Sequence, residues 1–152
     1  MSSFRLTSPL AAGTTVTVTV VDVKDLAGLA ITTPETDTFR FTPVVSFALQ
    51  LQPLLDQGCA FSGCHAADER FPPGADLVLD AGGARGQIVG VGSSQLAGSI
   101  RVVVGDPGAS YLIAKLDGAG IVGDRMPVGG PFLTLGDVQL FRLWIEQGAL
   151  DN

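Results

Sequence analysis

The sequence Cys59-Ala60-Phe61-Ser62-Gly63-Cys64-His65 gathers both cysteines of the chain and its only histidine on one short stretch. It follows Pro53-Leu-Leu-Asp-Gln-Gly58, where proline fits the first turn of a helix because its missing N–H would have no partner there. Gly63 lets the backbone between the thiols adopt conformations that other residues avoid. The pattern predicts a short helix that ends in a loop carrying two thiols and one imidazole.

Two thiols followed directly by a histidine are the arrangement that covalent attachment of a c-type haem needs. Cys59 and Cys64 would add across the two vinyl groups of the porphyrin, and His65 would present a ring nitrogen to the iron. Four residues separate the cysteines in place of the usual two, so the loop must bulge to span the vinyl groups. Two other interpretations stay open: a disulfide with His65 uninvolved, and a zinc site completed by a carboxylate such as Asp68.

A methionine forms the second candidate feature. One of the two methionines is the initiator, and the other, Met126, lies in the loop sequence Gly123-Asp-Arg-Met-Pro127. A methionine in such a loop suits the role of sixth ligand to a haem iron. His/Met ligation raises the reduction potential and leaves no open position for a substrate, so it favours electron transfer. Met126 as a plain packing residue is the alternative.

From Pro53 to Asp151 the sequence resembles the single-haem c-type cytochrome domains of planctomycete and myxobacterial surface proteins. The resemblance implies that Cys59 and Cys64 carry thioether bonds, that His65 is the proximal ligand and that Met126 is the distal one. It also implies one covalent haem c and a mainly α, cytochrome c-like fold in which the first helix crosses the last. The matching stretches are Gln52-Pro-Leu-Leu-Asp with Cys-x4-Cys-His, Val104-Gly-Asp-Pro-Gly-Ala-Ser-Tyr-Leu-Ile-Ala-Lys-Leu, Arg125-Met-Pro and Trp144-Ile-Glu-Gln-Gly-Ala.

Other residues are candidates to surround the haem. Tyr111, Trp144 and Phe61 are the aromatic residues suited to wall the porphyrin, and core packing is the alternative for Tyr111 and Trp144. Arg125, next to Met126, is a candidate partner for a haem propionate, or else a solvated surface residue.

Several elements of the segment 44–152 have local signals. The alternation of Phe47, Leu49 and Leu51 with polar or small residues predicts a strand. Thr134 and Asp137 form a capping-box pattern at the start of a mostly buried helix, Gly136–Gln147. The sequence further predicts a strand-like Leu77–Leu79, a short helix within Gly82–Val91, and a helix with Asp106 as N-cap, Pro107 at its first position and the body Ala109–Leu116.

The segment 1–43 has a different, β-rich pattern. Residues Thr14–Val23 and Asp37–Thr42 alternate apolar with polar side chains, as half-buried strands do. The segment resembles the second half of a bacterial Ig-like repeat, and the absence of the opening strands predicts that the chain is a fragment. Because two strands alone are not stable, we expect the segment to dock on the rest of the chain, on a partner or on a missing portion of itself, with self-assembly by strand recruitment as one route.

Composition limits the classes of function. The chain is 46% hydrophobic and 16% charged, which excludes disorder for most of its length. Its net charge of −6 argues against nucleic acid and favours a partner with a basic patch, such as a redox protein or a neighbouring cytochrome. No apolar run reaches the length of a membrane span, and Met1–Arg5 shows no signal-peptide pattern. Covalent haem attachment takes place outside the cytoplasm, so we expect the protein in the periplasm or at the cell surface.

Two rival functions follow from the same residues. One is a haem peroxidase-like enzyme in which Met126 is not bound and the sixth position of the iron is open. The other is a structural or assembly module of a surface protein, with a Cys59–Cys64 disulfide and a β segment that recruits a neighbouring strand.

Overall fold

A computed structural model describes residues 15–20, 24, 28, 35–40, 42–68 and 74–152 of the chain. The chain divides into two compact units, Met1–Pro43 and Val44–Asn152. All the candidate site residues belong to the second unit. In the described part of the chain, no helix combines the length and the apolar character needed to cross a membrane.

The described part of the first unit is a pair of antiparallel strands, β1 (Thr15–Val20) and β2 (Glu35–Arg40). Thr15 lies opposite Arg40, and Val20 lies opposite Glu35. Along β1 the threonines are exposed and Val16 and Val18 are half-buried, as the alternation in the sequence predicts. The predicted strands also included Thr14, 21–23 and 41, which lie outside the described residues. Thr42, the last residue of the second predicted strand, follows β2 and has no strand structure. The resemblance to an Ig-like repeat stays a prediction.

The second unit is helix-rich. It contains α1 (Gln52–Gly58), α2 (Ala84–Ile88), α3 (Tyr111–Asp117) and α4 (Leu135–Glu146). A π-helical turn, Phe47–Leu51, leads directly into α1, and a 3-10 turn covers Gly74–Asp76. The helices predicted before Cys59, within Gly82–Val91 and at the end of the chain are therefore present. Leu77–Leu79, predicted as strand-like, has no regular structure.

The strand predicted over Phe47–Leu51 is wrong, because this stretch is the π-helical turn. Alternation would place Phe47, Leu49 and Leu51 on one buried face, yet Leu49 is 81% exposed while the other two are buried. Helical winding brings Phe47 and Leu51 to the same face. Ser46 caps the turn, since its hydroxyl accepts a hydrogen bond from the N–H of Leu49 at 3.2 Å. The side chain of Asn152 accepts another from the N–H of Phe47 at 2.9 Å.

The two later helices differ in how well their starts are predicted. The capping box of Thr134 and Asp137 at the start of α4 is confirmed. In contrast, Ser110, and not Asp106, is the N-cap of α3. The carboxylate of Asp106 accepts a hydrogen bond from the N–H of Ala109 at 3.0 Å, and so it stabilises a turn before the helix. Both arrangements follow the preference of Asp and Thr oxygens for nearby unpaired backbone N–H groups.

The core of the second unit forms around α4. Phe141, Trp144 and Ile145 of this helix are fully buried. The ring of Trp144 lies 5.0 Å from that of Phe47, centroid to centroid, so the turn before α1 packs directly on α4. Leu51, Leu55, Ile88, Val102, Ile113 and Leu116 belong to the same cluster of buried side chains. This core joins the segment that leads to Cys59 with the last helix of the chain.

Candidate functional site

A cavity of about 330 Å³ lies beside the loop that follows α1. Its volume is within the range of small-molecule and cofactor sites. Cys59, Cys64, His65 and Met126 all line it, although Met126 comes from a distant part of the chain. The structure thus brings together the four residues that the sequence suggested as thioether donors and iron ligands. The other residues around the cavity are Gly58, Phe61, Gly63, Gly74, Ala75, Leu79, Gln95, Pro127, Val128 and Gly130.

Backbone hydrogen bonds explain how cysteines separated by four residues reach the same cavity. Cys59 ends α1, where its N–H donates to the carbonyl of Leu55 at 2.8 Å. The N–H of His65 donates back to the carbonyl of Cys59 at 3.1 Å, and the intervening residues form a bulge. Gly63 lies in that bulge with φ of 78°, a left-handed conformation that glycine adopts without strain. The longer spacing is therefore taken up by the loop, and its two ends stay close.

The two thiols differ in their environments. Both cysteines are free, with Cys59 buried and Cys64 exposed. Burial raises the pKa of the Cys59 thiol to about 11, and the neighbouring Cys64 contributes in the same direction. Burial acts in this direction because a thiolate loses hydration when it is withdrawn from water. Cys59 is therefore a protonated thiol at neutral pH.

We expect iodoacetamide at pH 8 to alkylate Cys64 at least tenfold faster than Cys59 in the haem-free protein. A pKa of about 11 leaves only about one Cys59 in a thousand ionised at that pH, and the reagent attacks the thiolate. Peptide mapping by mass spectrometry at successive times measures both rates. Equal rates in the folded protein, with both thiols reacting faster in urea, would contradict this difference in environment.

The Nδ1 atom of His65 is hydrogen-bonded to the protein backbone. This atom lies 3.2 Å from the carbonyl oxygen of Leu77, and since a carbonyl only accepts hydrogen bonds, this contact assigns the proton to Nδ1. Burial lowers the pKa of His65, while hydrogen bonds with the backbone of Leu77 and Gly74 oppose that effect. The ring is thus a neutral imidazole whose Nε2 lone pair is free to bind a metal.

Two backbone features near His65 had no signal in the sequence. The Leu77 carbonyl orients the imidazole through its main chain, so its side chain gives no clue to the role. Gly74 packs so closely that a Cβ there would lie 3.2 Å from the carbonyl oxygen of Cys64 and 3.5 Å from Cε1 of His65. The N–H of Leu79 donates to the carbonyl of His65 at 2.7 Å, so the segment Leu77–Leu79 lies beside the motif.

The loop that carries Met126 is bonded to α3. The N–H of Met126 donates to the carbonyl of Lys115 at 2.9 Å. The ammonium of Lys115 in turn donates to the carbonyls of Val122 at 3.0 Å and Asp124 at 2.8 Å. The Tyr111 hydroxyl accepts a hydrogen bond from the N–H of Val122 at 3.0 Å. Lys115 is a site residue that the sequence did not indicate.

The remaining predicted site residues are divided between the site and the core. Tyr111 lines a smaller cavity of about 60 Å³ that shares His65 and Met126 with the main one. Trp144 and Arg125 line neither cavity. The indole of Trp144 is buried in the core and donates to the carbonyl of Leu150 at 2.8 Å. The guanidinium of Arg125 lies 4.0 Å above the Phe132 ring, and its Nε donates to the carbonyl of Leu116.

Within residues 42–68, 74–152 and the described strands, no three His, Cys, Asp or Glu side chains lie close enough together to hold a metal ion. Asp68, the carboxylate considered for a zinc site, accepts a hydrogen bond from the hydroxyl of Ser62. No family model, curated protein or solved structure matches the chain. The function is therefore inferred from the residues around the cavity.

Proposed function

We propose that the unit Val44–Asn152 binds one covalent c-type haem in the main cavity and transfers single electrons. The observation that carries this proposal is that Cys59, Cys64, His65 and Met126 line the same cavity. Three of these residues are neighbours in the sequence, but the approach of Met126 depends on tertiary packing. Two thiols, an imidazole and a thioether are the groups that covalent attachment and His/Met ligation require.

The state of these groups fits a haem. Both thiols are free, so both are available to form thioether bonds. The imidazole of His65 directs its proton at the Leu77 carbonyl and keeps Nε2 for the iron. The apolar side chains of Phe61 and Val128 line the cavity and are 48% and 61% exposed. An exposed apolar rim leaves a porphyrin edge within reach of a partner, which outer-sphere electron transfer needs.

Each residue has a distinct task in this proposal. When bound, the haem would supply one-electron chemistry between its ferric and ferrous states. His65 would hold the iron through one ring nitrogen, and the hydrogen bond between its Nδ1 and the Leu77 carbonyl orients the ring. Met126 would hold the same haem through its thioether, which favours electron transfer over substrate binding. We place the protein outside the cytoplasm, where c-type haem is attached, and its net charge of −6 favours a partner with a basic patch.

The test is a visible absorption spectrum of the protein produced together with the haem-attachment machinery, before and after dithionite, followed by denaturing extraction. We expect sharp bands in the reduced state, haem that stays with the polypeptide, and a mass increase of one haem. A colourless protein that has lost two hydrogens in its mass spectrum would contradict the proposal and indicate the structural module with a Cys59–Cys64 disulfide. Rapid reaction of the ferric protein with peroxide would instead indicate an open sixth position.

A further inference from the structure

We infer that Lys115 is the positioning residue that holds Met126 at the cavity, an inference that rests on the proposed haem function. Lys115 bonds to the Met126 loop at three points. Its ammonium donates to the carbonyls of Val122 and Asp124, and its own carbonyl accepts from the N–H of Met126. One residue of α3 thus secures the stretch from Val122 to Met126.

The burial of Lys115 is unusual enough to need an explanation. Its side chain is 6% exposed, and lysine is rarely buried because its ammonium loses hydration. In the described part of the chain, an ion pair joins Arg142 and Asp117, and Lys115 takes no part in it. The two loop carbonyls therefore compensate the charge of Lys115. An apolar residue at this position would pack in the helix without burying a charge. We therefore explain the ammonium by its hydrogen bonds to the carbonyls of Val122 and Asp124.

The composition of the loop explains why it needs such an attachment. Gly118, Gly120 and Gly123 all have positive φ values, between 66° and 80°. Glycine-rich segments have many conformations available when they are not held, and ordering them is costly in entropy. Without the ammonium of Lys115, the loop would keep three hydrogen bonds to α3: those of the Tyr111 hydroxyl, of the Met126 N–H and of Arg125 Nε with the Leu116 carbonyl. Met126 would then occupy the sixth position of the iron for a smaller fraction of the time.

The test in the haem-loaded protein is Lys115→Leu, which keeps the apolar part of the side chain and removes the ammonium. Imidazole added to the ferric protein competes with Met126 for the iron, so its affinity reports how firmly Met126 is bound. We expect this affinity to rise about tenfold, and the near-infrared band of methionine-ligated ferric haem to weaken. Met126→Ala gives the upper limit of both effects. An affinity within twofold of the wild type, with the band intact, would overturn the inference.

Arg85→Leu is the matched control. The Nε of Arg85 donates to the carbonyl of Ala149 at 2.8 Å, so this variant also removes a cation from a backbone carbonyl. Arg85 lines neither cavity and lies outside the Met126 loop. We expect imidazole affinity and the near-infrared band to stay at their wild-type values. If Lys115→Leu does not accumulate, Lys115→Gln, which keeps a shorter and uncharged donor, replaces it with the same measurements.

A second readout separates this inference from the proposed function. Hydrogen exchange of the peptide covering 118–128 is measured in the haem-free full chain. We expect faster exchange of this peptide in Lys115→Leu than in the wild type, and no change in Arg85→Leu. If the wild type binds no haem, the proposed function fails, and this measurement still decides whether Lys115 holds the loop. Unchanged exchange in Lys115→Leu would overturn that role.

Discussion

The double variant Cys59→Ala, Cys64→Ala is expected to lose all of its haem on denaturing extraction, whereas the wild type keeps it. A thioether bond survives unfolding, whereas a haem held only by His65 and Met126 would be released when the cavity unfolds. Each single variant retains one thiol at the cavity and should keep its haem through one thioether bond. The measurement is the ratio of haem absorbance to protein before and after extraction, together with the mass of the polypeptide.

Ser62→Ala is the control for this experiment. Ser62 lies between the two cysteines on the same loop, yet it does not line the cavity. The variant removes the hydroxyl that donates a hydrogen bond to Asp68, and it leaves both thiols in place. We expect it to keep its haem fully. Haem retained after extraction of the double variant would show that the cysteines are not the sites of attachment and would remove the basis of the proposed function.

Trp144→Ala is expected to lower the free energy of unfolding of the second unit by about 3–5 kcal/mol. Trp144 is fully buried, contacts the ring of Phe47 and donates to the carbonyl of Leu150. Its truncation removes this burial and leaves a cavity between α4 and the turn before α1. Urea unfolding followed by far-ultraviolet circular dichroism measures the effect, since the chain has no other tryptophan to report fluorescence.

Leu135→Ala, on the same helix, is the matched control. Leu135 is 91% exposed at the start of α4, so its truncation should change the free energy of unfolding by less than about 0.5 kcal/mol. Trp144→Phe keeps an aromatic ring beside Phe47 and should cost less than the alanine variant. A loss below about 1 kcal/mol for Trp144→Ala would mean that the core does not depend on this contact.

Much of the candidate site could be predicted because its chemistry is concentrated in one short motif. Cys59, Cys64 and His65 are neighbours in the chain, and a hydrogen-bonded loop cannot separate them far. Met126 was predicted from its loop and from a resemblance, and the structure brings it to the same cavity. Trp144 and Arg125 were chosen by residue type and by proximity in sequence. Neither property determines which way a side chain points, and neither residue lines the cavity.

The errors in the elements have a related cause. Phe47, Leu49 and Leu51 have the period of a strand, but five residues are too few to distinguish a strand from a helical turn in which one apolar side chain stays exposed. Asp106 has the features of a helix N-cap, and Ser110, four residues later, has them as well. Competition between such local signals is decided by packing, which a pattern of single residues does not contain.

The sequence by itself determined the chemistry of the site and the signals that act over a few residues: the thiol–imidazole motif after α1, the capping box of α4 and the alternation along β1. These depend on neighbouring residues, whose relative positions the backbone limits. The tertiary structure alone decided that Met126 reaches the same cavity as His65, that the Leu77 carbonyl orients the imidazole and that Lys115 holds the Met126 loop. The first of these joins segments that are distant in the chain, and the other two use backbone carbonyls, which every residue has and no side-chain pattern distinguishes.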